Sequence, residues 1–228
     1  MSAPEERLQI DVPDKGPVSG AYVRPSGARS TIVVAHGAGA GLDHPFMVGF
    51  TRGMNDEGIA TLRFNFPYME GEKKRAPDRP PVAIAAWNAA FACARSRSAG
   101  EDEPIWASGK SFGGRMASMA VAEGAIPAAG LVFLGYPLHP PGKPERVRDE
   151  HLYGIEVPML FVEGTRDPFA TPAVLEPVIA KLGSKATVYP VEGGGHSFEV
   201  RGAKRDTREV ASSLTPIVAA FMREHGGV

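Results

Sequence analysis

The stretch Trp106-Ala107-Ser108-Gly109-Lys110-Ser111-Phe112-Gly113-Gly114-Arg115 runs from apolar residues into a serine that lies between glycines. Its centre has the Gly-x-Ser-x-Gly spacing that is typical of a tight turn from a strand into a helix, with the serine hydroxyl pushed outward as a nucleophile. Glycine is needed on both sides because backbone presses against backbone there and a side chain would collide. The stretch therefore predicts a strand before Ser111, a helix after it and a nucleophile at Ser111.

Strand and helix patterns alternate along the rest of the 228 residues. Short apolar or alternating runs predict strands at 8–12, 18–23, 31–35, 59–64, 104–108, 131–134, 159–162 and 186–189. Apolar residues at helical spacing predict helices at 44–57, 80–98, 112–123, 173–182 and 206–224. The charged run 72–75 is interpreted as a solvated loop.

This alternation predicts an α/β fold with a mostly parallel sheet and helices on both faces. The first two strands flank a turn at 13–17 and are expected to form an antiparallel hairpin at a sheet edge. The length and the lack of repeats or linkers predict a single domain, 1–228. Ligands of such sheets bind beyond the carboxyl ends of the strands, so each functional residue should follow a strand.

The composition excludes several classes of function. With 25 basic and 26 acidic side chains, the formal net charge is −1, which argues against a nucleic-acid partner. The start of the chain lacks the pattern of a secretory signal, and no stretch is long enough to span a bilayer. We therefore expect a cytoplasmic protein without membrane insertion. The single cysteine, Cys93, excludes an internal disulfide framework and a multi-cysteine zinc site.

A serine hydroxyl becomes a good nucleophile only when a base takes its proton. Of the six histidines, His196 is the best placed, because it follows the last predicted strand in a loop with three consecutive glycines, 193–195. Such a loop can fold back over the sheet edge. We therefore predict that His196 is the base rather than a surface or capping residue.

The base needs an acceptor on its second ring nitrogen. Asp167 follows a predicted strand, and Glu163 competes because it lies nearer the strand end. Gly164 should let the following residues bend toward His196, which favours Asp167. The alternative for this aspartate is a plain turn or helix cap before a proline. The chain order Ser111, Asp167, His196 is the order that the nucleophile turn demands.

Two backbone N–H groups should stabilise the oxyanion of an acyl-transfer reaction. One is that of Phe112, immediately after the nucleophile. The other should come from the glycine-rich loop after the strand 31–35, where we assign Ala38, with Gly39 as the alternative. His36 is expected to order this loop rather than to act in catalysis.

Two nucleotide-binding motifs fail on spacing. Gly109-Lys110-Ser111 could end a phosphate-binding loop, but the glycine required five residues earlier is Pro104. The run 37–42 resembles a dinucleotide fingerprint, but its third glycine would fall at Leu42. Neither nucleotide interpretation survives. Lys110, beside the nucleophile, is expected to pair with a carboxylate.

Taken together, several stretches resemble the α/β-hydrolases. They resemble in particular the small, capless, dienelactone-hydrolase-like group that includes hydrolase-like domains of testis-expressed and nonspecific-lethal-complex proteins. The matching stretches are 35–40, 64–68, 109–115, 135–138 and the segments that hold Asp167 and His196. The resemblance implies a Ser-His-Asp triad without metal or organic cofactor. Dienelactone hydrolases proper use a cysteine nucleophile, and this chain has serine there, so lactone specificity does not carry over.

In this fold a lid usually follows the strand that corresponds to 131–134, and the segment 135–156 is too short for a separate cap domain. The substrate should therefore contact loop residues, for which we assign Phe46, Met47, Tyr68, Met69, Leu138 and His139. Such walls predict a shallow, mostly apolar cleft. We expect a carboxylesterase for small esters or thioesters with short-to-medium acyl groups. The alternative is a catalytically silent protein-interaction module on the same fold.

Overall fold

The computed structural model describes residues 3–71 and 76–226, so the loop predicted at 72–75 lies outside the described residues. Within them, the strands are β1 (Glu6–Val12), β2 (Gly16–Val23), β3 (Thr31–Ala35), β4 (Ala60–Phe64), β5 (Ile105–Lys110), β6 (Leu131–Leu134), β7 (Met159–Gly164) and β8 (Ala186–Val191). The helices are α1 (Pro45–Asp56), α2 (Pro80–Arg95), α3 (Phe112–Ala122), α4 (Pro172–Leu182), α5 (Thr207–Ser212) and α6 (Thr215–Glu224).

The strands form one sheet in the order β1-β2-β4-β3-β5-β6-β7-β8. β1 and β2 form the predicted antiparallel hairpin at one edge, and β2 also pairs antiparallel with β4. All further pairs are parallel. Every residue of β3, β5, β6 and β7 is buried, which explains their continuous apolar runs. The predicted α/β fold is confirmed.

Helices cover both faces of the sheet, as predicted. Along β3, Val33 packs into one core with α2, α3 and α4, whereas the adjacent Val34 packs into the other core with α1, α5 and α6. This division follows from the alternation of side chains along a strand. The largest buried side chain of each core is a tryptophan, Trp87 on the first face and Trp106 on the second.

The single terminal helix predicted over 206–224 is wrong, because α5 ends at Ser212 and α6 begins at Thr215. Pro216 lies in the first turn of α6. It has no N–H for the Ser212 carbonyl, and its ring would collide with that carbonyl in a continuous helix. The Thr215 hydroxyl donates to the Ser212 carbonyl instead, at 2.8 Å.

The connection from β6 to β7 contains a 3₁₀ turn, Glu150–Gly154, and no inserted domain. All of it lies within the described residues, so the expectation of no cap domain is confirmed. Among the residues that the structure describes, no helix is both long enough and apolar enough to cross a membrane. In the described part of the chain, no inserted domain covers the carboxyl ends of the parallel strands.

Candidate active site

Ser111 lies between the end of β5 and the first residue of α3, with φ 50° and ψ −113°. A positive φ is strained for a residue with a side chain, so close packing must hold it. A Cβ on Gly109 would lie 2.3 Å from the backbone of Gly113 and Gly114. A Cβ on Gly113 would lie 2.5 Å from the carbonyl oxygen of Ala35. The glycines on both sides of the serine are therefore sterically required, as the sequence predicts.

The structure brings Ser111, His196 and Asp167 together in one line of hydrogen bonds. His196 Nε2 lies 2.8 Å from Ser111 Oγ, and His196 Nδ1 lies 2.6 Å from Asp167 Oδ2. Because a carboxylate only accepts, Nδ1 carries the proton and Nε2 is left to accept the proton of the serine hydroxyl. Asp167 is fully buried, and its Oδ1 accepts the Phe169 N–H at 2.8 Å. Both oxygens of the aspartate are thus held in place.

Glycines allow the loops that follow β7 and β8 to cross in close contact. The Arg166 N–H donates to the Gly194 carbonyl at 2.9 Å, and a Cβ on Gly164 would lie 2.3 Å from the same oxygen. We expected Gly164 to supply conformational freedom, but its role is to permit this close approach. The crossing places the loop that carries Asp167 against the loop that carries His196.

Glu163, the competing acid, points elsewhere. Its Oε1 accepts a short hydrogen bond from the Tyr136 N–H, and its side chain is 2% exposed. Burial, together with the charge of Asp167, raises the pKa of the Glu163 carboxyl well above its usual value. Glu163 therefore supports the loop after β6, while Asp167 contacts His196.

The loop after β3 is ordered by His36, as expected. Its Nε2 accepts the Phe66 N–H at 3.1 Å, so the proton lies on Nδ1, which contacts the Gly37 carbonyl at 2.8 Å. Burial lowers the pKa of His36 to about 4, so the ring is neutral near pH 7. A Cβ on Gly37 would lie 3.6 Å from Ser111 Cβ, which places this loop directly beside the serine.

Backbone donors beside Ser111 that have no acceptor among the described residues include the N–H groups of Phe112, Ala38 and Gly39. Phe112 is the first residue of α3, where no acceptor precedes it within the helix. Gly39 lies in the same loop as Ala38, and both line the cavity beside the serine. The assignment of Ala38 rather than Gly39 as the second donor stays a prediction.

A family model described as an alpha/beta hydrolase domain matches residues 28–223, which is most of the chain. The chain belongs to the α/β-hydrolase family. The sheet order and the turn from β5 into α3 at Ser111 agree with membership of this family.

Several solved structures resemble this hydrolase over nearly their whole length. A lidless a/b serine hydrolase from Xanthomonas campestris is 18% identical, with a TM-score of 0.75 over 98% of this chain and 96% of that chain. A dienelactone hydrolase from Anabaena variabilis is 18% identical, with a TM-score of 0.74 over 98% of this chain and 99% of that chain. An esterase from Pyrococcus furiosus is 15% identical, with a TM-score of 0.77 over 99% of this chain and 92% of that chain.

These likenesses confirm the resemblance to small capless hydrolases of the dienelactone-hydrolase-like kind. At such identities they show the fold alone. The narrower resemblance to domains of testis-expressed and nonspecific-lethal-complex proteins stays a prediction.

In this α/β-hydrolase, a cavity of about 470 Å³ opens at Ser111 and His196. Its apolar lining comes from the loops after β3 and β7 and from the start of α1, namely Ala38, Ala40, Phe46, Met47 and Phe169. Its polar lining comes mostly from the loops beside α1 and α5, namely His44, Lys110, Ser197, Glu199 and Thr207. The predicted wall residues Phe46 and Met47 are thus part of the apolar lining. The cleft is more polar than the sequence suggested.

Four predicted wall residues do not line this cavity: Tyr68, Met69, Leu138 and His139. Tyr68 is 3% exposed and its hydroxyl donates to the Gly37 carbonyl at 3.3 Å. Leu138 is fully buried in the core, and Met69 is partly buried and packs against the same core. His139 is 4% exposed, with Nδ1 2.9 Å from the Pro140 carbonyl. The loops after β4 and β6 turn these side chains toward the core.

Sequence reasoning missed other residues of the cavity. The ring of Phe169 lies 4.6 Å from that of His196, and it could have been noticed as an apolar residue two positions after Asp167. Glu199 and Thr207 reach the cavity only because the loop before α5 folds back, which no local pattern indicates.

Lys110 does not pair with a carboxylate, contrary to expectation. Its Nζ donates to the carbonyl oxygen of His196 at 2.7 Å, and within the described part of the chain it forms no ion pair. Asp167, a carboxylate of the site, is already engaged by His196 and Phe169.

A second cavity of about 420 Å³ lies between α4 and β8. It is lined mostly by apolar side chains, among them Leu175, Ile179 and Val188, and neither Ser111 nor His196 contacts it. Across residues 3–71 and 76–226, no cluster of three or more His, Cys, Asp or Glu side chains is placed to bind a metal ion. The cavity that contains both a serine and a histidine joined by a hydrogen bond is the one at Ser111.

Proposed function

We propose that this α/β-hydrolase is a serine esterase that hydrolyses small carboxylic esters or thioesters through an acyl-enzyme. The observation that carries the proposal is the unbroken line of hydrogen bonds from Ser111 through His196 to Asp167 at an open cavity. A nucleophile, a base and an acid that orients the base are the parts that acyl transfer requires. The esterases among the similar structures support the same class of reaction.

In the first half-reaction, Ser111 Oγ attacks the carbonyl carbon of the ester while His196 Nε2 takes the serine proton. Asp167 stabilises the imidazolium through its hydrogen bond to Nδ1. The tetrahedral intermediate then collapses, and the imidazolium gives its proton to the departing alcohol or thiol. In the second half-reaction, water attacks the acyl-enzyme with His196 again as base, which releases the acid and restores Ser111.

The N–H groups of Phe112 and Ala38 are proposed to stabilise the oxyanion. Both flank Ser111 and lack an acceptor among the described residues. Fixed donors of this kind act where negative charge develops, and the loss of one typically costs a hundredfold or more in kcat. Phe112 is fixed by the start of α3, and Ala38 by the loop that His36 orders.

The cavity sets the proposed substrate class. Its volume of about 470 Å³ suits a small molecule, and Phe46, Met47 and Phe169 offer an apolar surface for a short-to-medium acyl chain. Because no inserted domain among the described residues covers the site, the leaving group can extend into solvent. We propose that the whole chain is a single catalytic domain with a small-molecule partner.

Hydrolysis of p-nitrophenyl acetate, butyrate and octanoate by the wild type and by Ser111→Ala tests the proposal. We expect Ser111→Ala to lose at least about 10³-fold in kcat, because the nucleophile is absent. Ser96→Ala, at the end of α2, is the matched control and should keep wild-type rates. Full activity in Ser111→Ala would contradict the proposal, and an inert wild type would favour the protein-interaction module.

A further inference from the structure

Lys110 is the last residue of β5 and the residue before the proposed nucleophile, and its side chain is almost fully buried. Its Nζ donates to the His196 carbonyl oxygen at 2.7 Å. The same ammonium lies 5.6 Å from the centre of the Phe198 ring, which is itself 2% exposed. A buried amine with one short hydrogen bond and an aromatic face beside it is held in one place.

This hydrogen bond closes a ring of connections around the site. A peptide bond joins Lys110 to Ser111, the Lys110 ammonium holds the backbone of His196, and the imidazole of His196 returns to Ser111 Oγ at 2.8 Å. Since His196 follows β8 and Lys110 ends β5, the contact joins segments whose strands are three positions apart in the sheet. Lys110, the neighbour of Ser111, therefore fixes the backbone of His196.

Gly135, directly after β6, leaves the space through which Lys110 reaches His196. A Cβ at Gly135 would lie 3.1 Å from Lys110 Nζ and 2.9 Å from the His196 carbonyl oxygen. Gly135 also has a φ of +71°, which favours glycine. Both the positive φ and the space taken by the hydrogen bond therefore require glycine at this position.

The charged groups around Lys110 are the carboxylates of Asp167, Glu163 and Glu199. Burial lowers the pKa of Lys110 to about 8, and these three carboxylates oppose that effect. Near pH 7 the amine is mostly protonated, and a charged donor forms the stronger hydrogen bond to a carbonyl. A role as base for Ser111 is not open to Lys110, because its Nζ contacts the His196 carbonyl and His196 already contacts Ser111 Oγ.

We propose that Lys110 is a positioning residue that holds His196 in register with Ser111 through the hydrogen bond to the His196 carbonyl. The inference rests on the proposed esterase function for its kinetic consequence. Its structural consequence, an ordered imidazole at His196, does not depend on turnover.

The kinetic test compares the wild type with Lys110→Met, Lys110→Gln and Lys110→Arg on p-nitrophenyl butyrate. Lys110→Met keeps the length of the side chain and removes the donor, so we expect kcat to fall by about ten- to a hundredfold with little change in KM. Lys110→Gln and Lys110→Arg restore an N–H donor and should recover part of the loss. Lys15→Met, in the exposed turn between β1 and β2, is the matched control.

A second readout separates this inference from the proposed function. The low-field NMR resonance of the His196 Nδ1–H should be present in the wild type and in Ser111→Ala, and should broaden or vanish in Lys110→Met. If the wild type hydrolyses no ester but the resonance depends on Lys110, the esterase proposal fails and the positioning role stands.

If the wild type is active and Lys110→Met retains its kcat and its resonance, the positioning role is overturned and the esterase stands. A loss of kcat in Lys110→Met that neither Lys110→Gln nor Lys110→Arg relieves, and that follows the fraction of folded protein, also overturns it. If Lys110→Met does not fold, the two polar variants decide. Both should show an intermediate kcat and a retained resonance, and loss of measurable kcat or of the resonance in both overturns the proposal.

Discussion

His36 is a fully buried histidine at the end of β3 whose ring joins Gly37 to Phe66. Its pKa is lowered by burial from 6.5 to about 4 in the folded state. Because the unfolded chain binds this proton more readily, the contribution of His36 to stability is present above pH 6.5 and is lost as the pH falls toward 4. Acid should therefore weaken the loop beside the nucleophile.

We expect protonation of His36 to lower the unfolding free energy by about 2 kcal/mol when the pH falls from 7 to 5. Urea denaturation of the wild type and of His36→Asn at both pH values measures this difference. The variant should be less stable at pH 7 but lose less stability on acidification. Equal losses in the two proteins would show that His36 does not titrate as its burial indicates.

At the scale of single residues, sequence reasoning named the three residues that the structure joins by hydrogen bonds and missed their surroundings. Ser111 is placed by its own turn, and Asp167 and His196 follow strand ends, so local patterns suffice for all three. The lysine contact is different, because the side chain of Lys110 meets a carbonyl 86 positions away in the chain. No local pattern specifies which backbone oxygen a buried amine will find.

Among the elements, the junction of β5 and α3 is the most constrained. A Cβ at Gly113 would meet the carbonyl oxygens of Ala35 and His36 at 2.5 and 2.6 Å, and these are backbone atoms of a central strand that cannot give way. The nucleophile turn and β3 are therefore packed to contact, and a methyl group there forces the strand and the helix apart.

We expect Gly113→Ala to lower the unfolding free energy by about 2–4 kcal/mol, since it overpacks the core at backbone atoms. Gly100→Ala is the matched control: a Cβ there meets nothing within 4 Å, and its φ is not positive. The control should stay within about 0.5 kcal/mol of the wild type. Chemical denaturation of both variants gives the comparison, and equal stabilities would contradict the packing argument.

The elements themselves were predictable because periodicity decides them. Strands such as Thr31–Ala35 and Leu131–Leu134 have the predicted bounds, since turn-forming residues flank short apolar runs. The terminal helix was predicted too long because the apolar pattern continues through Ser213 and Leu214. The stop is set by the missing N–H of Pro216, and that signal was present in the sequence.

On the scale of the whole molecule, the edge hairpin is tied to the centre of the sheet by Glu103. This carboxylate, in the loop before β5, is 7% exposed and accepts hydrogen bonds from both Arg24 terminal nitrogens, the Thr31 hydroxyl and the Ala99 N–H. Arg24 follows β2 and Thr31 begins β3, so one side chain before β5 links the ends of two strands that lie 79 and 72 positions earlier in the chain.

Glu103→Ala should lower the unfolding free energy by about 3 kcal/mol, because it leaves Arg24 partly buried without its counter-charge and orphans the other donors. Glu101→Ala removes an exposed carboxylate from the same loop and should have little effect. Thermal unfolding of the two variants tests this. A Glu103→Ala variant as stable as Glu101→Ala would mean that the hairpin is held by its apolar contacts alone.

The overall architecture was within reach of the sequence, whereas the shape of the cleft was not. Alternating elements determine an α/β sheet, and the chain order of the three polar residues matches the strand ends. The cavity walls depend on which way long loops turn, and the loops after β4 and β6 turn Tyr68 and Leu138 into the core. That choice is made by packing among distant residues, which a single sequence does not display.

The central claim is that Ser111 is an activated nucleophile. The most direct measurement is labelling of the intact protein with a fluorophosphonate probe, followed by mass spectrometry of the peptide that contains Ser111. We expect one phosphonyl group on Ser111 in the wild type, none in Ser111→Ala, and labelling slowed in His196→Ala, because the base is missing. An unlabelled wild type, or a label that persists in Ser111→Ala, would contradict the claim.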